Sequence, residues 1–224
     1  MRVFEKLQLW VDAVARSGPA AMAVDEWLLA TVECPVLRVY DWAGEWASLG
    51  YFGKIDEARV AFPGMNVVRR WTGGGMVDHR HDWTYSLVIP KGEALAKTRG
   101  ATSYGVIHGV LRDVLLREGL ACEVSKGEGE TGAASCFENP VSFDLILPDR
   151  SKLAGAGQRR SRVGLLHQGS VLTAVSREAS ETRARELAHA LATTVSSYPR
   201  NREDEALLEK MADRYTATSW TCRR

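Results

Sequence analysis

The stretch VVRRWTGGGMVDHRHDWTYSL, residues 67–87, constrains this chain more than any other. It reads as a strand, a break of three consecutive glycines (Gly73, Gly74, Gly75) and a second apolar strand. Glycine has no side chain to hold the backbone off a ligand and tolerates positive φ. Successive N–H groups in such a turn form a concavity that suits carbonyl, carboxylate or phosphate oxygens. Arg69 and Arg70 enter the turn with fixed positive charge and paired donors, and His79 and His81 leave it. Because the glycines lie between apolar strands rather than in a polar tract, a ligand-cradling loop is favoured over the alternative, a tight hairpin with solvated arginines.

The chain's 224 residues suffice for one large domain or two small ones. With 45% hydrophobic and 25% charged residues it has an ordinary globular composition. A net charge of +1 provides no bulk attraction to nucleic acid or membrane. Apolar runs fall short of a bilayer span, and the N-terminus lacks a signal-peptide pattern, so a cytoplasmic location is expected. Seven tryptophans suit a core and the lining of an apolar pocket. Cys34, Cys122, Cys136 and Cys222 form no C-x-x-C pair, which argues against a metal site and for reduced thiols.

Periodicity predicts a strand near the N-terminus, an amphipathic helix from Ala20 to Val32 and strands over 36–40 and 47–52. A short helix over 55–61 precedes the glycine hairpin, and a strand over 83–89 follows it. Ser103–Glu118 is the clearest helix, with Gly119 as its stop. Residues 125–135 read as a polar, flexible loop. Strands over 143–147, 153–158 and 165–172 follow, then helices over 178–194 and 203–214. The pattern is a strand-rich α+β domain with helices packed on one side.

A second segment, Cys136 to Leu172, also carries chemistry-bearing residues. Cys136 borders the small-residue loop, and Lys152 precedes Ala154-Gly155-Ala156-Gly157, where small residues permit close approach to a ligand and a lysine would neutralise an oxyanion or phosphate. His167 and Gly169 lie on the next strand. Singly each is weak: such a lysine is usually solvated, a lone cysteine usually inert, and a histidine in an apolar strand usually an interior residue.

Together, RRWTGGGMVDH (69–79) and SKLAGAGQRR…GLLHQGSVL (151–172) resemble the two signature segments of the biotin/lipoate protein ligase catalytic-domain family, on its lipoate/octanoate side. MAVDEWLL (22–29) and LRVYDW…SLGYF (37–52) match as well. The resemblance covers residues 19–172. It implies an α+β fold related to class II aminoacyl-tRNA synthetases, with mixed β-sheets forming an acyl-binding pocket, flanking helices and a single catalytic domain over 1–224 without a C-terminal accessory domain. Lys152 would contact the reacting carbonyl. Arg69, Arg70, Thr72, Gly73, Gly74, Gly75, His79, Gly155, Ala156, His167 and Gly169 would surround the acyl group or its adenylate.

Two branches of that family remain open. Lipoate-protein ligases activate the free acid with ATP and Mg²⁺. Their pattern keeps three glycines, as here, but carries Gly-Asn after the histidine and Asn-Asp before the lysine strand, where this chain has His81-Asp82-Trp83-Thr84 and Cys136-Phe137-Glu138-Asn139. Cysteine-type octanoyltransferases resemble this chain in CFENP and in Asp82-x-Thr84-Tyr85-Ser86, although they often carry arginine at the position of Gly75. On this reading Cys136 and Lys152 are catalytic: the thiolate takes octanoyl from an acyl carrier protein and no cofactor is needed. The acceptor in either case is a lysine of a lipoyl carrier domain, either a dehydrogenase E2 or a glycine cleavage H protein. A third reading is a non-catalytic acyl-binding or carrier-domain-binding module. Arg159, Arg160 and Arg162 would suit an acidic carrier protein or be a solvated turn.

Overall fold

Strands whose alternate residues are both apolar need cover on two faces, and here two layers of helices provide it. The structure, a computed structural model, describes residues 2–127, 141–199 and 205–223. In chain order the strands are β1 (Phe4–Val11), β2 (Val36–Tyr40), β3 (Trp46–Leu49), β4 (Asn66–Arg69), β5 (Met76–Asp78), β6 (Trp83–Pro90), β7 (Glu123–Val124), β8 (Leu145–Ile146), β9 (Lys152–Arg160), β10 (Gly164–Val171) and β11 (Ala192–Ser197). The helices are α1 (Gly18–Thr31), α2 (Ile55–Ala61), α3 (Ala94–Lys97), α4 (Gly100–Arg117), α5 (Arg177–Leu191), α6 (Glu205–Thr216) and α7 (Thr218–Thr221). None of these helices is long and apolar enough to cross a membrane.

The large mixed sheet has the order β11-β1-β2-β6-β10-β9-β8-β7, with β11, β1 and β2 parallel and the remaining pairs antiparallel. One face carries Leu37, Leu87 and Leu165 against Ile107, Leu111 and Leu115 of α4 and Leu187 and Leu191 of α5. The other carries Val36, Val88 and Leu166 against Trp27 and Leu28 of α1 and Leu208 of α6. Helices therefore cover both faces, not one as the sequence pattern suggests. Helix α1 starts at an N-cap Ser17 with Pro19 in its first turn. It is buried nearly all round, because α6 and the small sheet pack on the side turned away from the large one.

The small sheet has the order β4-β3-β5. The predicted glycine hairpin is thus a crossover: β4 runs parallel to β3 and β5 antiparallel to it, so the glycine loop spans the end of β3 rather than joining neighbours. Strand β11, which pairs parallel with β1, replaces the expected end of the helix over 178–194. Its Thr193, Thr194 and Val195 are β-branched and favour the extended state.

Candidate active site

At the end of β4 two adjacent arginines point to opposite sides, as strand geometry requires. Arg70 turns toward the large sheet. It donates to the carbonyl of Ser48 (3.0 Å) and its Oγ (2.6 Å), and to the carbonyls of Gly73 (3.1 Å) and Gly75 (3.0 Å). The guanidinium therefore ties the glycine loop from within. Arg69 turns away and donates to the carbonyls of Gly50, Tyr51, Gly53, Trp220, Thr221 and Arg223. The Trp220 indole donates back to the Arg69 carbonyl at 3.1 Å. Burial lowers the Arg69 pKa and the nearby Arg223 adds to the shift. Arg69, expected beside the acyl group, does not line the cleft; it anchors the chain's 220–223 segment to the small sheet.

The loop closes backbone against backbone. A Cβ on Gly50 would lie 1.8 Å from the Gly74 carbonyl oxygen, and one on Gly157 2.3 Å from that of Gly73. Gly74 itself sits at φ +94°, open to glycine and strained for other residues. Thr72 Oγ1 donates to Gln168 Oε1 at 2.7 Å, and Gln168 Nε2 donates to Asp25 at 2.7 Å. Asp25 also pairs with Arg38 at 2.8 Å and accepts from Ser86 at 2.8 Å. Burial works against the Arg38 charge, but Asp25 and Asp12 outweigh it and its pKa rises. A buried polar axis thus runs from α1 through the large sheet to the loop.

Between the small sheet and the large one lies a narrow cleft with an internal cavity of about 20 Å³. Arg70, His79, Lys152, Gly155, Ala156 and Gly169 line it, as expected, together with Ser48, Met22, Tyr40, Trp42, Val77 and Ser170; Thr72, Gly73, Gly74 and Gly75, also expected there, are not among its lining residues, because the loop packs on Gly50 and Gly157. Gly155 leaves room for the lysine: a Cβ there would lie 2.3 Å from Lys152 Cε and 2.5 Å from Nζ. Lys152 Nζ pairs with Asp144 at 2.7 Å, both side chains being buried. Asp144 also accepts from Val141 N (2.8 Å) and from the Tyr104 hydroxyl, which in turn accepts from Ala156 N at 2.7 Å. Opposite, His79 lies 2.6 Å from Ser48 Oγ and 2.8 Å from Asp82 Oδ2, with the Trp42 indole stacked on it at 4.1 Å.

His167 departs from its expected place. Strand alternation puts Gln168 and Ser170 toward the cleft and His167 on the α4 side, where its ring nitrogens meet Tyr85 OH (3.1 Å) and Gln158 Nε2 (3.0 Å). Since Gln158 Nε2 only donates, His167 Nδ1 accepts and the ring is neutral. Burial drives its pKa well below the usual value, with the neighbouring His108 and Arg160 adding to it. Gly169 reaches the cleft through its backbone, because Tyr85 fills the space where its side chain would be: a Cβ would lie 2.2 Å from that ring.

Cys136 lies outside the described residues, as do residues 128–135 of the expected flexible loop. Cys34 and Cys122 are half-buried and Cys222 is exposed, none of them in a disulfide. Burial raises the Cys122 thiol pKa. Among the described residues no His, Cys, Asp and Glu group has the geometry to hold a metal ion. Asp144, Tyr104, Ser48 and Asp82 are the site residues that sequence reasoning missed. An aspartate between Phe143 and the apolar pair Leu145-Ile146 was a signal for the first.

Residues 17–203 match the family model described as the lipoyl protein ligase A/B catalytic domain. The octanoyltransferase LipM of Macrococcus caseolyticus is 32% identical over 170 residues, covering 69% of this chain and 61% of that protein. The octanoyltransferase LipM of Brevibacillus brevis is 32% identical over 179 residues, covering 73% and 64%. The chain thus spans less than two thirds of the length of these relatives. Among solved structures, the putative lipoate protein ligase Ta0514 of T. acidophilum with bound lipoic acid superposes with a TM-score of 0.75 at 18% identity, covering 97% of this chain and 99% of that one. This likeness shows the fold: an α+β architecture of mixed sheets shared with lipoate ligases. The match over most of its length places the chain in the lipoyl protein ligase A/B catalytic-domain family.

Proposed function

We propose that this protein transfers an octanoyl or lipoyl group to a specific lysine of a lipoyl carrier domain, with octanoyl-acyl carrier protein as donor and a Cys136 thioester as intermediate. The observation that carries the reading is Lys152, buried in a cleft between the small sheet and a glycine-rich strand and held by Asp144. In such a place its ammonium opposes the oxyanion of an acyl transfer, where low dielectric strengthens the interaction. The similarity to octanoyltransferases at about a third identity supports octanoyl as the group and a lipoyl domain as the acceptor.

The chemistry balances without a cofactor. The Cys136 thiolate attacks the thioester carbonyl, the carrier's thiolate leaves, and an acyl-enzyme of similar energy forms. The acceptor lysine amine then attacks that carbonyl and Cys136 departs as the thiolate. Lys152 stabilises the oxyanion in both halves.

The alternative is a lipoate-protein ligase acting through an acyl-adenylate with ATP and Mg²⁺, which the fold likeness to lipoate ligases favours. The arginine pair argues against it. Both guanidiniums donate to backbone carbonyls, Arg69 on the far side of the small sheet, so neither is arranged around a polyphosphate. A non-catalytic acyl-binding module is the third reading. Incubation of a lipoyl domain with octanoyl-carrier protein, or with octanoate and Mg-ATP, followed by intact mass, separates the three. Transfer from the carrier protein alone, an octanoyl adduct on the enzyme and loss of both in Cys136→Ala are expected. Transfer that requires ATP overturns the thioester route, and no transfer from either donor overturns both catalytic readings.

A further inference from the structure

Attack by an acceptor lysine releases a proton, and Lys152, ion-paired with Asp144, is in the wrong form to take it. The opposite wall of the cleft has the parts that can. Asp82 Oδ2 only accepts, so His79 Nδ1 carries a hydrogen and donates to it at 2.8 Å. Arg70 only donates, so Ser48 Oγ accepts from it at 2.6 Å. The one hydroxyl hydrogen of Ser48 is then directed at His79 Nε2, 2.6 Å away. Ser48 and His79 both line the cleft. The Asp82 side chain is fully buried and accepts from Thr84 Oγ1 at 2.9 Å and from Ser170 Oγ. The Trp42 ring stacks on the imidazole, its plane within 20° of the imidazole plane. Among the described residues, the charged and titratable groups near the ring include Asp82, Asp78, Arg80 and His81 from its own turn, Arg70 from the end of β4 and Asp41 and Glu45 from the segment before β3, with Lys152 across the cleft.

We infer that Ser48, His79 and Asp82 form a proton relay for the attack of the acceptor lysine. As the lysine nitrogen bonds to the acyl carbon, its proton passes to Ser48 Oγ while the hydroxyl proton of Ser48 passes to His79 Nε2. The bond to the leaving group then breaks with its electron pair, and the imidazolium returns the proton to that group or to solvent. Arg70 stabilises the serine oxygen while the proton is in transit. Asp82 is a positioning residue: it fixes the tautomer and offsets the imidazolium charge. The relay rests on the reading that a lysine is acylated. It does not depend on the donor, since thioester and adenylate present the same carbonyl to the same amine.

The test is single-turnover acylation of a lipoyl domain, followed by intact mass across a pH series, with octanoyl-carrier protein and, separately, chemically made octanoyl-adenylate as donors. Ser48→Ala and His79→Gln are expected to slow transfer by about 10²–10³-fold near neutral pH. The deficit is expected to shrink as pH rises and hydroxide takes the proton of the attacking nitrogen in place of the relay. Ser48→Thr, which keeps a hydroxyl, should retain most of the rate, and Asp82→Asn should fall between. A deficit that is constant with pH would mean that these residues only hold the loop, and would overturn the relay. A wild-type rate in Ser48→Ala would overturn it too. A wild-type protein inert with both donors would instead overturn the catalytic readings themselves, and the relay with them.

Discussion

The two walls of the cleft hold their polar groups in opposite ways. On the β9 side, Lys152 makes an ion pair with a carboxylate that is itself fixed by Tyr104 and the Val141 amide, so charge is set in place and stays there. On the β3 side, Arg70, Ser48, His79 and Asp82 form a string in which one hydrogen has two possible owners. Charge stabilisation needs the first arrangement and proton movement needs the second. One cleft holding both has the complement that two successive acyl transfers require.

Breaking the fixed wall has the largest expected effect. Lys152→Met should cut single-turnover transfer by about 10²–10³-fold. It also leaves Asp144 buried without its cation, costing about 3 kcal/mol in urea unfolding. Gly157→Ala drives a Cβ into the Gly73 carbonyl, 2.3 Å away, where neither backbone has freedom to give. Displacing the loop by about 1 Å should lower transfer by about 10²-fold, measured as kcat against lipoyl domain. Gly155→Ala meets side-chain atoms rather than backbone, Lys152 Cε at 2.3 Å, Nζ at 2.5 Å and Asp144 Oδ1 at 3.2 Å, so it should push the lysine off its ion pair and lower transfer by less than Gly157→Ala.

Behind the fixed wall, pH sharpens the contrast. His108 and His167 are buried and neutral, and burial pushes His108 down to about 4 and His167 well below its usual value. The unfolded chain binds these protons near the ordinary histidine pKa of about 6.5, so it holds more protons than the fold at lower pH. Stability should be full above that value and fall as pH drops toward 4, by up to about 1.4 kcal/mol per unit for each ring. Urea midpoints at pH 7.5 and 5.5 check this, and His167→Gln should flatten the slope. Smallest of all, Tyr104→Phe removes the hydroxyl shared by Asp144 and Ala156 N, costing about 1 kcal/mol and a few-fold in rate.

The glycine loop, Lys152 and the small-residue strand were legible because each is written in consecutive residues. What was not legible depends on side and partner. Arg69 and Arg70 are equivalent as letters, and only the direction of β4 sends one to the cleft and the other to the 220–223 carbonyls. His167 and Gln168 exchange roles for the same reason: one residue of register decides which face of β10 meets the cleft. The hairpin reading failed because β3, distant in sequence, sits between β4 and β5. Ser48 looked like an ordinary strand residue and Asp82 only like a marker of the family branch, since their roles come from His79, which lies 31 residues beyond Ser48.

The tether of Arg69 to carbonyls at 220, 221 and 223 has a consequence for synthesis. β4, from which the glycine loop leaves, cannot make these bonds until a segment some 150 residues downstream has been translated. A chain cut before residue 218 is expected to leave the Arg69 side chain without those three carbonyl acceptors.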